Sequence, residues 1–331
     1  MMRAWSPAIS ARLSPPLWAL ACVVVLLVSI AATQAPAPPP APAQTNHTAD
    51  QEPITPIPPP PAADPLKLAL GERLFGDGRL SATGNVACSS CHDLRTNGAD
   101  RNRRRMAQDG TRLPFDTPTV FNAALSFRLN WEGNFRTLAA QAVSSIESPG
   151  NDMHSSVAEV VRKLNADPAI SRQFYAAYGQ APDRDNFLDA LVTFERSLLT
   201  PGSRFDRWLE GEATALSSDE LEGYRMFKSY GCSSCHQGVN VGGNLFERQG
   251  VFRPLVEGQP KIVRVPSLRN VATTAPYFHD GSAATLEEAV RRMAAAQLDR
   301  TLTDQQVASV VAFLQTLTGN YRGKPVVGAS P

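Results

Sequence analysis

The sequence predicts a mainly α-helical fold made of two similar domains. The pentapeptide CSSCH occurs twice, at residues 88–92 and 232–236, and apolar residues recur at helical spacing, as at Phe187, Leu191 and Phe194. Alternating patterns typical of strands are scarce. About 265 residues follow a proline-rich N-terminal segment, and this length suits two domains.

The CxxCH motif predicts covalent attachment of a c-type haem. Two thiols one helical turn apart can each add to a haem vinyl group, and the adjoining histidine can bind the iron. A redox CxxC pair or half of a zinc site would not explain the histidine that follows both copies. We therefore expect two cytochrome c-like domains, each with one haem. The attaching cysteines and proximal ligands are Cys88, Cys91, His92, Cys232, Cys235 and His236.

Two capping boxes predict where helices begin in the second half. Thr303 with Gln306 starts the last helix, and Ser217 with Glu220 starts the helix before the second CxxCH. Each pair can satisfy backbone N–H groups that have no partner inside the helix. A terminal amphipathic helix packed over a haem is what a cytochrome c domain requires.

Residues 1–35 have the layout of a secretory signal or an N-terminal membrane anchor. Arg3 and Arg12 precede an uncharged apolar stretch over residues 17–32. That stretch is short for a spanning helix of about 20 residues, so we favour cleavage near Ala31 or Ala35. An uncleaved anchor stays open as the alternative, and both predict a protein exported to the periplasm.

The remaining chain divides into three predicted parts. Residues 36–65 are rich in Pro and Ala and predict a disordered spacer. Residues 66–211 form the N-terminal domain and residues 212–331 the C-terminal domain, each with one haem motif. A retained leader would make the spacer a tether to the membrane.

Charge and cysteine usage restrict the function classes. The formal net charge is +1, so no overall field favours nucleic acid as a partner. Four of the five cysteines lie in the haem motifs and the fifth, Cys22, lies in the leader, so none remains for an internal disulfide.

Several further motifs stand in both halves of the chain, at residues 118–122, 131–133, 138–141, 231–236, 242–243, 266–271 and 275–281. Together they resemble those of the bacterial dihaem cytochrome c peroxidases and the related enzymes that mature methylamine dehydrogenase. The resemblance covers essentially the whole chain after the spacer.

The resemblance implies roles for residues outside the haem motifs. Met293 would be the distal ligand of the second haem, which would then be a high-potential electron store. Trp131 would lie between the haems and Gln141 on the open face of the first haem. A calcium ion between the domains would be held by Asp116, Thr274 and Pro276.

The resemblance breaks at two places around the first haem. The family has a glutamate as catalytic acid, whereas this chain is one residue longer there, so Asp152 or Asn151 takes the position and His154 is a third candidate. Many family members also have a histidine ligand on the first iron, and no histidine lies between His92 and His154. The first haem is then open, which we favour, or bound by Met106.

These features predict an exported dihaem peroxidase. It would reduce hydrogen peroxide with electrons from a cytochrome c or a cupredoxin, using Gln141, Asp152 and Trp131. One alternative is an oxidase that acts on a protein or small molecule through high-valent iron. Another is a pure electron carrier with both irons six-coordinate. The oligomeric state stays open, with a homodimer among the alternatives.

Overall fold

A computed structural model describes residues 51–100, 115–150, 152–256 and 261–328. The α-helices in these ranges are α1 Pro65–Phe75, α2 Leu138–Glu147, α3 Val157–Asn165, α4 Pro168–Tyr178, α5 Arg184–Arg196, α6 Arg204–Leu209, α7 Ser218–Ser229, α8 Leu286–Leu298 and α9 Asp304–Gln315. The strands are β1 Phe246–Arg248, β2 Ile262–Arg264, β3 Asn320–Tyr321 and β4 Lys324–Pro325. They form two antiparallel pairs, β1 with β2 and β3 with β4. The mainly α prediction is confirmed.

Each half of the chain has its own hydrophobic core. The first core takes its buried residues from α1 to α5, with Phe174, Phe187 and Phe194 fully buried. The second core comes from α6, α7, α9 and neighbouring loops, with Phe205 and Phe313 at its centre. The burial of these rings is a main contribution to the stability of each half.

Both cores are built around one close crossing of two helices. In the first half, α1 crosses α5 at Gly71, where a Cβ atom would lie 2.0 Å from the carbonyl oxygen of Ala190. In the second half, α7 crosses α9 at Gly223, where a Cβ atom would lie 1.9 Å from the carbonyl oxygen of Ser309. Only glycine permits backbones to approach this closely, so the two crossings define equivalent positions in the halves.

Buried asparagines join the two halves. Asn122 and Asn270 both have left-handed backbone conformations, with φ of 61° and 60°. The side-chain amides of both donate to the Thr200 hydroxyl, at 2.8 Å from Asn122 and 3.0 Å from Asn270. Asn240 from the second half also donates to the carbonyl oxygen of Asn122 at 3.1 Å. Because buried amides must be hydrogen-bonded, this network fixes one half against the other.

The segment before α1 packs against the second core. Ile54 is fully buried there, and Ile57 is 3 % exposed. The Arg269 guanidinium, buried in an ion pair with Asp206 at 2.7 Å, also donates to the carbonyl oxygen of Thr55 at 2.7 Å. The structure therefore differs from the predicted disordered spacer over residues 51–64, because two isoleucines among the prolines give this segment apolar surface to bury.

The chain passes from one core to the other earlier than the predicted boundary after residue 211. Leu198 belongs to the first core, whereas Phe205 and Trp208 of α6 belong to the second. Near the other end of the chain, Val326 returns to the first core. No helix in the described ranges is both long and apolar enough to cross a membrane. The predicted leader lies outside those ranges.

Candidate active site

Both CxxCH motifs begin as a single 3₁₀ turn, Cys88–Ser90 in the first half and Cys232–Ser234 in the second. The turn continues into the histidine, since the His92 N–H donates to the Cys88 carbonyl oxygen at 3.0 Å and His236 does the same to Cys232. This geometry directs both cysteines and the histidine of each motif to one side. All six side chains line the same cavity.

The two histidines are oriented for an iron ligand in the same way. The Nδ1 atom of His92 is 3.1 Å from the carbonyl oxygen of Gly98, and that of His236 is 3.2 Å from the carbonyl oxygen of Val241. A carbonyl oxygen can only accept, so each Nδ1 carries the proton and each Nε2 presents its lone pair. Burial lowers the pKa of His236 to about 4, which keeps the imidazole neutral.

A cavity of about 580 Å³ runs between the halves and is lined by both motifs. A phenylalanine ring lies beside each histidine ring. The ring centroids are 6.5 Å apart for Phe75 and His92, and 6.4 Å apart for Phe227 and His236. The paired cysteines, the oriented histidines and the shared space fit two covalently attached haems.

The helices opposite the motifs are equivalent but carry different residues. Helix α2 begins after Thr137 and helix α8 after Thr285, and each threonine hydroxyl accepts from the N–H three residues on. The eighth residue after the threonine is Ser145 in α2 and Met293 in α8, and both line the cavity. A thioether can bind haem iron on its distal side, whereas a serine hydroxyl is a poor ligand. The two halves thus differ at the position where the second half would offer a distal ligand to its iron.

The first-half distal wall contains two of the predicted catalytic residues. Gln141 lines the cavity, and its side-chain amide donates to the Ser145 hydroxyl at 2.7 Å. Asp152 also lines the cavity and is half-buried. His154 is exposed and does not line the cavity, so its position favours Asp152 over His154 as the acid. Asn151 and Met106 lie outside the described residues.

Comparisons with known proteins identify the family. A family model described as di-haem cytochrome c peroxidase matches residues 65–214, and a cytochrome c model matches residues 221–318. A cytochrome c551 peroxidase from Nitrosomonas europaea is 39% identical over 82% of this chain and 86% of that protein. The chain belongs to the dihaem cytochrome c peroxidase family.

Two further relatives extend the comparison. The methylamine utilization protein MauG of Methylorubrum extorquens is 32% identical over 78% of this chain and 81% of that protein. The crystal structure of a MauG-like protein associated with microbial copper homeostasis superimposes with a TM-score of 0.67 at 28% identity. That match covers 80% of this chain and 93% of the other.

In this dihaem peroxidase, Trp131 lies where the two halves meet. Its indole N–H donates to the carbonyl oxygen of Asp116 at 2.9 Å, and its ring meets the His279 ring edge to face, with centroids 6.2 Å apart. Two main-chain hydrogen bonds also join the halves here. The Asp116 N–H donates to the carbonyl oxygen of His279 at 2.7 Å, and the Arg264 N–H donates to the carbonyl oxygen of Trp131 at 2.8 Å. The tryptophan is therefore held at the interface by its ring and its backbone.

The predicted calcium ligands lie along the same cavity. Asp116, Thr274 and Pro276 all line it, and Asp116 offers the one carboxylate of the three. No cluster of three or more His, Cys, Asp or Glu side chains suited to a metal exists within the described ranges. A calcium ion here would depend on main-chain carbonyls for its remaining ligands, so the assignment stays a prediction.

The internal repeat beyond CxxCH and one half-buried acid, Glu195, did not emerge from the sequence motifs. The repeat was visible in the sequence. Phe194 lies at the first helix crossing and Phe313 lies at the second, so these two residues correspond. The residues that come next in the sequence, Glu195 and Leu314, therefore also correspond, and both line the cavity. A carboxyl group in place of a leucine is a local break in the repeat, so aligning the halves would have revealed it.

Proposed function

We propose that this protein reduces hydrogen peroxide to water in the first half of its cavity, with electrons taken from a donor protein through the second half. One observation carries this proposal: Ser145 occupies in α2 the position that Met293 occupies in α8. An iron bound by His92 would keep an open face for peroxide, and an iron bound by His236 would be closed by the thioether.

The haem irons, when bound, supply the redox chemistry. The protein must supply two protons for each peroxide reduced, since two electrons and two protons convert one peroxide to two waters. Gln141 can donate a hydrogen bond to peroxide, and its own bond to Ser145 fixes the direction of the amide. Asp152, on the same wall, can hold a proton on its carboxyl oxygen and pass it to the leaving oxygen.

Trp131 is our candidate for the electron path between the two halves. Its ring lines the cavity to which both motifs contribute, and its contacts with Asp116 and His279 hold it in one orientation. An aromatic ring at this place shortens the distance that an electron must cross between the two cofactors. A redox role for Trp131 rests on this position.

The donor and the cellular location follow from the same proposal. A donor that delivers single electrons to a haem suits a small cytochrome c or a cupredoxin. The leader predicted over residues 1–35 places the protein in the periplasm, cleaved or tethered. Calcium bound through Asp116 and assembly as a homodimer are further parts of the proposal.

A second candidate function is oxidation of a protein or small molecule, and the relative named methylamine utilization protein MauG favours it. Both candidates require an open first iron, whereas a pure electron carrier requires two closed ones. The absorption and electron paramagnetic resonance spectra of the oxidised protein test this difference. We expect one high-spin haem that changes when peroxide is added. Two low-spin haems whose spectra do not change when peroxide is added, before and after partial reduction, would contradict the proposal.

Steady-state kinetics then separates the two enzymatic candidates. A peroxidase oxidises reduced cytochrome c or cupredoxin at a rate that depends on peroxide concentration, with two donors oxidised per peroxide. An oxidase of another substrate would turn over peroxide slowly with these donors, although its spectrum would still respond. The rate of donor oxidation at saturating peroxide is therefore the deciding measurement, and the ratio of two donors per peroxide checks that the reaction is peroxide reduction.

A further inference from the structure

The first-half cavity wall contains a carboxyl group in an apolar setting. Glu195 is near the end of α5, and its Oε2 atom is inaccessible to solvent and has no hydrogen-bond partner. Leu191, one turn earlier on the same helix, lines the cavity beside it. An unpartnered carboxylate in such a place would be strongly destabilised, so its protonated form is favoured.

Three observations place Glu195 close to the first haem site. It lines the same cavity as His92 and Cys88. Burial raises the pKa of the Cys88 thiol, and the nearby charge of Glu195 raises it further. Glu195 directly follows Phe194, whose ring packs against Phe75, and Phe75 in turn contacts the His92 ring. The carboxyl group therefore lies beside the cysteine that would bind the cofactor covalently.

The second half has an apolar residue at the position equivalent to Glu195. Because the crossing at Gly71 corresponds to the crossing at Gly223, Glu195 corresponds to Leu314. Leucine fills the equivalent position beside the second haem site and is buried. A buried polar group is costly where an apolar one would pack. The acid is therefore specific to the half in which we place peroxide reduction.

We propose that Glu195 exchanges a proton with solvent as the first haem changes its oxidation state. For each electron that the donor supplies to that site, the Glu195 carboxylate would take up one proton from solvent, and it would return the proton to solvent on reoxidation. The reason is charge balance, because an oxidised haem carries one more positive charge than a reduced one and favours the carboxylate nearby. Glu195 would thus keep the net charge of a low-dielectric pocket nearly constant.

The titration behaviour of Glu195 is consistent with this role. Burial raises the pKa of Glu195 to about 8. Burial is the one cause of this shift among the described residues, although Arg73 of α1 and Arg196 of α5 also carry charge nearby in the chain fold. Other charged side chains on α1, α2, α3 and α5 form ion pairs or hydrogen bonds of their own. These are Lys67 with Asp189, Glu72 with Arg322, Glu147 with the Val157 N–H, Glu159 with Arg162, and Lys163 with the Ser81 carbonyl oxygen. Cys88, the titratable group that senses Glu195, becomes an uncharged thioether in the haem protein.

The experiment is a spectroelectrochemical titration of the dihaem protein between about pH 6 and pH 9. In the wild type, we expect the midpoint potential of the first haem to fall with pH, by up to about 59 mV per pH unit for one proton per electron. In Glu195→Gln and Glu195→Leu, most of this slope should be lost. Leucine is the residue that the second half already has at this position, so the fold should accept it.

Two controls make the measurement specific. The second haem reports from the same sample, and its pH slope should be equal in all proteins. Glu159→Gln removes a first-half carboxylate that pairs with Arg162 and does not line the cavity, and it should leave the first-haem slope unchanged. A first-haem potential that is independent of pH in the wild type would overturn the proposal, and so would an unchanged slope in a folded Glu195 variant. Because the readout is a potential, its failure would not affect the assignment of peroxide reduction.

Discussion

Ser145 and Met293 occupy the same position in the two halves of the molecule. Each is the eighth residue after a threonine that caps its helix, and each lines the cavity shared by the two haem motifs. The two halves share a close helix crossing, at Gly71 in the first and Gly223 in the second. Side chains at equivalent positions can therefore be exchanged one at a time.

Ser145→Met should close the first iron. The new thioether would occupy in α2 the place that Met293 has in α8, and methionine is a good distal ligand. We expect the high-spin signal of the oxidised protein to disappear and peroxidase activity to fall to background. Ser145→Ala is the matched control, since it removes the hydroxyl but adds no ligand. Retention of a high-spin haem with full activity in Ser145→Met would show that α2 does not face the first iron as α8 faces the second.

Met293→Ala should lower the midpoint potential of the second haem. Methionine raises the potential of a haem that it ligates, and axial ligands set potentials over a range of about 0.8 V. We expect a fall of roughly 100 mV or more, slower reduction by the donor, and an unchanged first haem. Met226, which precedes the second motif on α7 and packs against the second core, supplies the control Met226→Leu. An unchanged potential in Met293→Ala would remove Met293 as the ligand.

Local sequence patterns predicted the two haem cofactors and the helix starts well. The capping boxes at Ser217 and Thr303 are confirmed, with hydrogen bonds in both directions to Glu220 and Gln306. The helical spacing of Phe187 and its apolar neighbours is confirmed as the buried face of α5. These features depend on residues within one turn or one helix, so the sequence determines them without tertiary information.

Features that depend on contacts distant in sequence were harder to predict. The segment containing Ile54 resembles a disordered spacer by composition, and only the second core, about 150 residues later in the chain, gives it a binding surface. The acid Glu195 follows the apolar spacing of α5, so its position in the cavity wall emerges only when the halves are superimposed. The sequence leaves His154 as a candidate acid, and its exposure emerges only from the folded structure.

Asp152→Asn should reduce peroxidase turnover by about 10²–10⁴-fold, the usual contribution of a positioned acid–base group. Asparagine keeps the shape of the side chain and cannot carry the proton. Binding of peroxide, followed spectroscopically, should change much less than turnover. His154→Gln is the control, because His154 is exposed and lies away from the cavity wall. If Asp152→Asn turned over at the wild-type rate, another group would have to be the acid.

Ile54→Ala should destabilise the second half of the protein by about 2–5 kcal/mol, as large-to-small changes in a core do. Ile54 is fully buried in the second core, which contains several aromatic rings. An ion pair between Glu52 and Lys228, at 2.8 Å, also holds this segment. We expect the denaturation midpoint, followed at the second haem, to fall while the first haem responds less.

The matched control for that variant is Leu66→Ala, at the start of α1. Leu66 is 51% exposed, so its truncation removes little buried surface and should change stability by less than about 0.5 kcal/mol. The difference in stability between the two variants shows whether the segment before α1 is part of the folded core. If Ile54→Ala were as stable as Leu66→Ala, residues 51–57 would contribute nothing to folding, and a true spacer would extend to α1 as its composition predicts.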